Sequence, residues 1–226
     1  QQGTLTISSS QLGLTANQIF RDTLPTLQLN TVLNWQKTPI AWQIDSDSIK
    51  LNSLDLTSET AFHLTLPDEG GGFLDLQSDF SCEDMAHIPR YLPAKVMGRE
   101  SIAWLDHAFQ KGRLKNGQLL FYGKLGDFPF AKGQGVFEML FDADNVQLAY
   151  APKDDWMRLI STTLQGRIYQ ESLQINLEGM AENTQIKTAE VTIPSLYTSD
   201  YVHVTGQVEG DIGHILHFLQ QSRLRP

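Results

Sequence analysis

The feature that most restricts how this chain can fold is the alternation of apolar and polar residues within short segments. Successive side chains of a β-strand point to opposite faces of a sheet, so alternation is typical of antiparallel strands that bury one face. The pattern runs through residues 3–80 and returns between residues 119 and 208. Clear examples are Leu5 and Ile7; Trp42 and Ile44; Phe62, Leu64 and Leu66; and Val202, Val204 and Val208. The sequence therefore predicts a mainly β fold built from antiparallel strands.

Clusters of turn-forming residues divide these segments. Gly, Pro, Asp, Asn and Ser favour turns because they accept unusual backbone angles or form local hydrogen bonds. We therefore predict turns at KTP (37–39), DSDS (45–48), PDEGGG (67–72) and DADN (142–145).

The stretch 85–137 interrupts the alternation. Within it, Ile102, Leu105 and Phe109 recur at steps of three and four, as on one face of a helix, and Gly112 is expected to end that helix. We interpret the stretch as a connector between two sequential curved sheets. The predicted helices lie near 85–91, 99–111 and 211–221.

The two halves of the chain show the same order of segments. GTLTISSSQLGL corresponds to GVFEMLFDADNVQLAY, and SETAFHLTLP corresponds to NTQIKTAEVTIP. Each unit consists of meandering strands followed by a helical crossover, which indicates an internal repeat of somewhat over roughly a hundred residues. We predict a first unit at 1–93 that ends in a short helical turn, and a second at 94–226 that contains the connector helix, further strands and a terminal helix.

The charge of the chain argues against two classes of partner. The formal net charge is −9, and Lys and Arg are spread singly. No basic patch is present to neutralise phosphates, so we expect no nucleic-acid partner and no binding to an anionic membrane surface through this segment. No run approaches the roughly 18 apolar residues that a membrane span needs, and the start lacks a signal pattern. Because the chain starts within an alternating segment and stops at RLRP, without natural punctuation at either end, we expect it to be part of a longer protein.

The titratable residues do not form a recognisable chemical site. His214 and His217 have helical i, i+3 spacing, but no third ligand accompanies them, so we predict no metal site. Carboxylate pairs such as Asp154 and Asp155 occupy turn-like positions. Cys82 is the single cysteine and is expected to be buried and inert. No nucleophile elbow, P-loop or dinucleotide pattern occurs, so we predict no enzyme activity and no cofactor.

The apolar area of the predicted strands is the functional clue. Three short helices cannot cover one face of so long a sheet, so that face must dimerise, close on itself or hold an apolar ligand. The pattern alone favours the second alternative, a sandwich of two sheets that cover each other.

Motifs in the connector change which of these alternatives we favour for the apolar face. The chain carries Tyr91, Leu92 and Pro93; then Trp104 and Leu105, followed by Ala108 and Gly112; then Asp127, Phe128, Pro129 and Phe130, followed by Gly133, Gly135 and Phe137. In this combination the sequence resembles the AsmA-like envelope proteins of the YhdP type, in the central region of those very long chains.

The resemblance implies a fold and a function. The implied fold is a long antiparallel, strongly curved sheet, an open β-groove from two tandem repeats with a few short connecting α-helices. The implied protein is anchored in the inner membrane and spans the Gram-negative periplasm, where the groove conducts phospholipids toward the outer membrane. Its partners are then phospholipid acyl chains. Membrane contact would occur through parts of the full-length protein outside this chain, and no envelope protein partner is specified.

Two alternatives remain open at this point: a structural envelope scaffold with a closed apolar core and, more remotely, a polysaccharide-active β enzyme. For the groove, strand parity predicts the lining. Phe137, Met139 and Phe141 share one face of their strand, while Glu138, Leu140 and Asp142 share the other. The predicted lining consists of Phe137, Met139, Phe141, Leu148, Tyr150, Leu173, Ile175, Leu177, Val191 and Ile193.

Overall fold

A computed structural model describes residues 1–95, 97–149, 158–181, 183–214 and 216 of the 226-residue chain. These residues form one open sheet of eleven antiparallel strands, in which each strand pairs with the next along the chain. The mainly β fold predicted from the alternation is confirmed. The strands are β1 (Gln2–Leu14), β2 (Leu24–Lys37), β3 (Ala41–Asn52), β4 (Leu56–Pro67), β5 (Phe73–Cys82), β6 (Phe109–Lys124), β7 (Val136–Leu148), β8 (Leu159–Tyr169), β9 (Ser172–Ala181), β10 (Thr184–Ile193) and β11 (His203–Glu209).

The connector does not separate two sheets, so that interpretation is wrong. β5 and β6 pair directly, from Phe73 opposite Lys124 to Cys82 opposite Leu114, and the sheet continues across the connector. The described residues also contain no second sheet packed on the first, so they do not form the sandwich that the pattern favoured. The predicted boundary between residues 93 and 94 lies in the β5–β6 connection, and the division into two repeats stays a prediction.

The connector contains two short helices. Met85–Arg90 is a 3₁₀ helix, and α1 spans Arg99–Ala108. α1 ends three residues before the predicted position because Phe109 already pairs with Leu148 in the sheet. Gly112 therefore lies inside β6, where its φ of +131° suits glycine. The predicted helix at 211–221 falls largely outside the described residues, of which 212–214 and 216 are helical.

Two of the predicted turns are bulges within strands. DSDS (45–48) lies inside β3, and the register with β4 shifts between Ser46 and Ile49. DADN (142–145) lies inside β7, where the register with β8 shifts between Ala143 and Val146. A bulge and a turn both favour short polar residues, so the local sequence did not distinguish them. The other two predicted turns, KTP and PDEGGG, do overlap connections between strands.

The Asp-Phe-Pro-Phe motif lies in the loop between β6 and β7. Its first residue, Asp127, is the last residue of a short 3₁₀ helix, Leu125–Asp127. No helix in the described part of the chain has both the length and the apolar composition needed to cross a membrane.

Candidate functional site

The register of the sheet places most of the large apolar side chains on one face. Residues directly opposite each other in an antiparallel pair point to the same side, so the pairing can be followed from strand to strand. One row of opposed residues runs from β2 to β11: Leu29, Leu51, Ser58, Phe80, Gly117, Phe141, Gly166, Ile175, Val191 and Val204. We call the side that carries this row the apolar face.

A neighbouring row lies on the same face. It crosses β6 to β10 as Leu119, Met139, Ile168, Leu173 and Ile193. The two rows contain six of the ten predicted lining residues. The register also places Phe137, Leu148 and Leu177 on this face, while Tyr150 lies outside the described residues.

The opposite side, which we call the polar face, carries ion pairs between neighbouring strands. Arg167 Nε lies 2.7 Å from Glu138 Oε1, and Lys115 Nζ lies 3.2 Å from an Asp144 carboxylate oxygen. Leu140, between Glu138 and Asp142 on this face, is exposed. One face of the sheet is thus suited to water and the other to apolar groups.

Hydroxyl groups interrupt the apolar face in β2 to β5. Thr31 and Ser46 are buried, and their side-chain oxygens are 3.0 Å apart. Thr60 and Ser78 form a second such pair at 2.7 Å. Because each hydroxyl has another as its hydrogen-bond partner, these positions add little polarity to the face.

The 3₁₀ helix of the connector covers one end of the central strands on the apolar face. Met85 is buried there in a cluster with Cys82, Leu114, Ala143 and Val146. Burial raises the pKa of the Cys82 thiol, so this cysteine stays protonated and unreactive.

Polar contacts from β1–β4 hold the connector in place. Arg21, in the β1–β2 loop, donates two hydrogen bonds to the Asp106 carboxylate of α1, at 2.8 and 2.7 Å, and a third to the Pro89 carbonyl at 3.0 Å. The hydrogen bonds from Arg21 lower the pKa of Asp106.

A second anchor is the buried carboxylate of Asp55. His87 Nδ1 lies 2.9 Å from one of its oxygens, and Arg90 lies 3.5 Å from the other. The Tyr91 hydroxyl is 2.8 Å from Ser53 Oγ, and burial raises the pKa of this phenol. Tyr91 of the connector motif is therefore an anchoring residue, whereas sequence reasoning found no signal for Arg21 or Asp55.

The Asp-Phe-Pro-Phe loop covers the other end of β6 and β7. Phe130 is fully buried, and its ring meets Phe121 edge-to-face at 5.2 Å between centroids. Phe128 stacks on Phe121 at 5.9 Å and meets Phe137 edge-to-face at 5.1 Å. The motif thus builds an aromatic cluster on the apolar face.

Trp104 and Leu105, also in the connector motif, are not among the buried residues of α1. Trp104 is 37% exposed and contacts Phe109 edge-to-face at 6.0 Å, while Ile102 and Ala108 are the buried residues of α1. Leu92 and Pro93 are partly buried.

The described residues contain no group of three or more His, Cys, Asp or Glu side chains placed to hold a metal ion. His217, one of the two histidines considered from the sequence, lies outside them. The arrangement offers an extended apolar surface with two covered ends and a charged reverse side.

Comparison with known proteins gives two matches. The family model described as YhdP protein matches residues 1–226. The intermembrane phospholipid transporter YhdP of Escherichia coli (strain K12) is 24% identical over 180 residues, which cover 80% of this chain but 14% of that protein. No solved structure gives a significant match. Because the family model covers the whole sequence, the resemblance found in the connector motifs is confirmed, and the chain belongs to the YhdP family.

Proposed function

We propose that the chain is one segment of a periplasmic conduit that carries phospholipids between the inner and outer membranes, with their acyl chains on the apolar face. The observation that carries this proposal is the continuity of that face. Apolar residues follow one another from strand to strand without a second sheet over them among the described residues. The name of the Escherichia coli relative, an intermembrane phospholipid transporter, supports the same function.

The dimensions of the sheet suit this role. Strands in a sheet lie about 4.8 Å apart, so the ten intervals between the eleven strands give a path of about 48 Å along the rows. Half of a bilayer's hydrocarbon core is about 15 Å thick, which is the depth that one acyl chain occupies. The path is therefore long enough to hold more than one lipid, one behind another along the rows.

The chemistry of the two faces supports movement rather than tight binding. Acyl chains need only apolar contact, and the rows offer similar side chains at each strand, so no single position should hold a lipid strongly. The charged pairs of the polar face remain in water. The lipid head group can stay hydrated at the open side, and no cofactor is required. In this proposal the segment lies in the periplasm as part of an inner-membrane-anchored protein.

Site-specific photo-crosslinking in cells tests the proposal with matched neighbours. A photo-crosslinking residue is placed in the full-length protein at Met139 or Ile175 on the apolar face, and at the adjacent Glu138 or Asn176 on the polar face. We expect phospholipid adducts at Met139 and Ile175 and none at the two neighbours. The absence of adducts at both apolar positions would favour the alternative, a structural scaffold of the envelope whose apolar face is closed by protein.

A further inference from the structure

Three aromatic residues on the apolar face lie directly opposite a glycine of the neighbouring strand. Two of these pairs belong to the row defined above and lie in the central strands β5 to β8. The pairs are Trp35 with Gly3, Phe80 with Gly117, and Phe141 with Gly166.

The rings lie over the glycines. A Cβ atom built on Gly166 would be 2.0 Å from Cζ of Phe141, 2.4 Å from Cε2 and 2.6 Å from Cε1. On Gly117 it would be 2.4 to 2.6 Å from three ring atoms of Phe80. Because several atoms of one ring crowd the same point, each ring lies down on the neighbouring strand rather than standing up from the sheet.

The backbone does not require glycine at these two positions. Neither Gly117 nor Gly166 has a φ in the left-handed region, in contrast to Gly112 at +131°. What each position requires is the absence of a side chain, so that the ring has room. Any Cβ there would push the ring away from the sheet, since contacts this short do not occur between a real Cβ and a ring.

We infer that Gly117 and Gly166 set the clearance above the apolar face by letting the rings of Phe80 and Phe141 lie flat. This inference rests on the proposed function, because clearance matters only if something moves along the face. The two phenylalanines would otherwise be the tallest side chains of their row. Lying flat, they keep the central part of the row about as low as the aliphatic residues that follow. These two glycines therefore control how much room a lipid has there.

The test measures lipid on both sides of the central strands. Photo-crosslinking residues are placed in the full-length protein at Leu119 in β6 and at Ile193 in β10, which belong to the neighbouring row. The ratio of the two phospholipid adducts is compared between the unmodified background and Gly166→Ala. A raised Phe141 ring between them should shift this ratio, because it would obstruct lipid passing over β7 from the β6 side to the β10 side.

Two further variants separate the ring from other effects. Combining Gly166→Ala with Phe141→Leu should restore the original ratio, because the obstructing ring is gone. Gly71→Ala should leave it unchanged, because a Cβ there meets nothing within 4 Å. Should Gly166→Ala fail to accumulate, Gly117→Ala with and without Phe80→Leu is used in the same way.

The outcomes distinguish the inference from the proposed function. If adducts form at both positions but Gly166→Ala does not change their ratio, the inference is overturned and the proposed function stands. Absence of adducts in the unmodified background would overturn both.

Discussion

Replacing Phe130 by alanine should destabilise the chain strongly, and the same change at Phe128 should destabilise it clearly less. Both residues belong to the Asp-Phe-Pro-Phe loop and to the same aromatic cluster, but Phe130 is 0% exposed and Phe128 is 40% exposed. The pair therefore separates the effect of burial from the effect of residue type.

The magnitude follows from the packing. Removing a fully buried phenylalanine costs about 3–5 kcal/mol, because transfer energy is lost and a cavity remains. Phe130 also loses its edge-to-face contacts with Phe121 and Phe128, at 5.2 and 6.2 Å, and this loss places it near the upper end of that range. Since part of its surface is already in water, Phe128→Ala should cost about 2 kcal/mol.

Urea unfolding of the chain, followed by circular dichroism, measures both values from the shift in midpoint at constant slope. The double variant should cost less than the sum of the single variants, because the two rings are in contact. Equal midpoints for the two single variants, or a cost below about 1 kcal/mol for Phe130→Ala, would show that the loop does not pack on the sheet as described.

Three further predictions concern the connector and the apolar face. Asp106→Asn should cost about 1 kcal/mol at pH 7, a modest value because Arg21 and Asp106 remain 35 and 26% exposed and water screens them. Since Arg21 lowers the pKa of Asp106, this contribution is present above the unfolded value of about 3.9 and is lost as the pH falls through the folded pKa. The stabilities of the two proteins, measured by urea unfolding from pH 7 to pH 3, should therefore begin to converge as the pH falls below about 4. Met139→Glu should reduce lipid adducts at Ile175 while circular dichroism stays unchanged, because an open face hydrates the new charge; unfolding would indicate a closed core. Trp104→Ala should lower the free energy of unfolding by about 1–2 kcal/mol, less than for a buried tryptophan, and a loss of 3 kcal/mol or more would contradict its 37% exposure.

The sequence predicted those features of the candidate site that depend on neighbouring residues. Alternation sets which side chains share a face of a strand, and this is why Phe137, Met139 and Phe141 could be assigned to one side before any pairing was known. The same local reasoning located the connector helix to within three residues at its end. The motifs of the connector were sufficient to indicate the family, which the family model then confirmed.

Local patterns did not predict how the strands pair. The two polar clusters at 45–48 and 142–145 satisfy the chemistry of a turn, but in the fold they are bulges, because the partner strands continue past them. The expected break between two sheets is absent for the same reason. The connector joins β5 to β6, and these two strands pair directly with each other.

Tertiary structure alone decided what the individual site residues contact. Arg21 and Asp106 are 85 positions apart in the sequence, and no periodicity links a loop arginine to a helix carboxylate that far away. The glycines opposite Phe80 and Phe141 likewise gain their significance only from the register, which places each ring over one particular residue of the next strand. The sequence by itself determined which face of each strand is apolar, since that depends on the strand's own alternation. Only the tertiary structure joined those faces into one surface, because the alternation within a strand does not specify its partner or the register of their pairing.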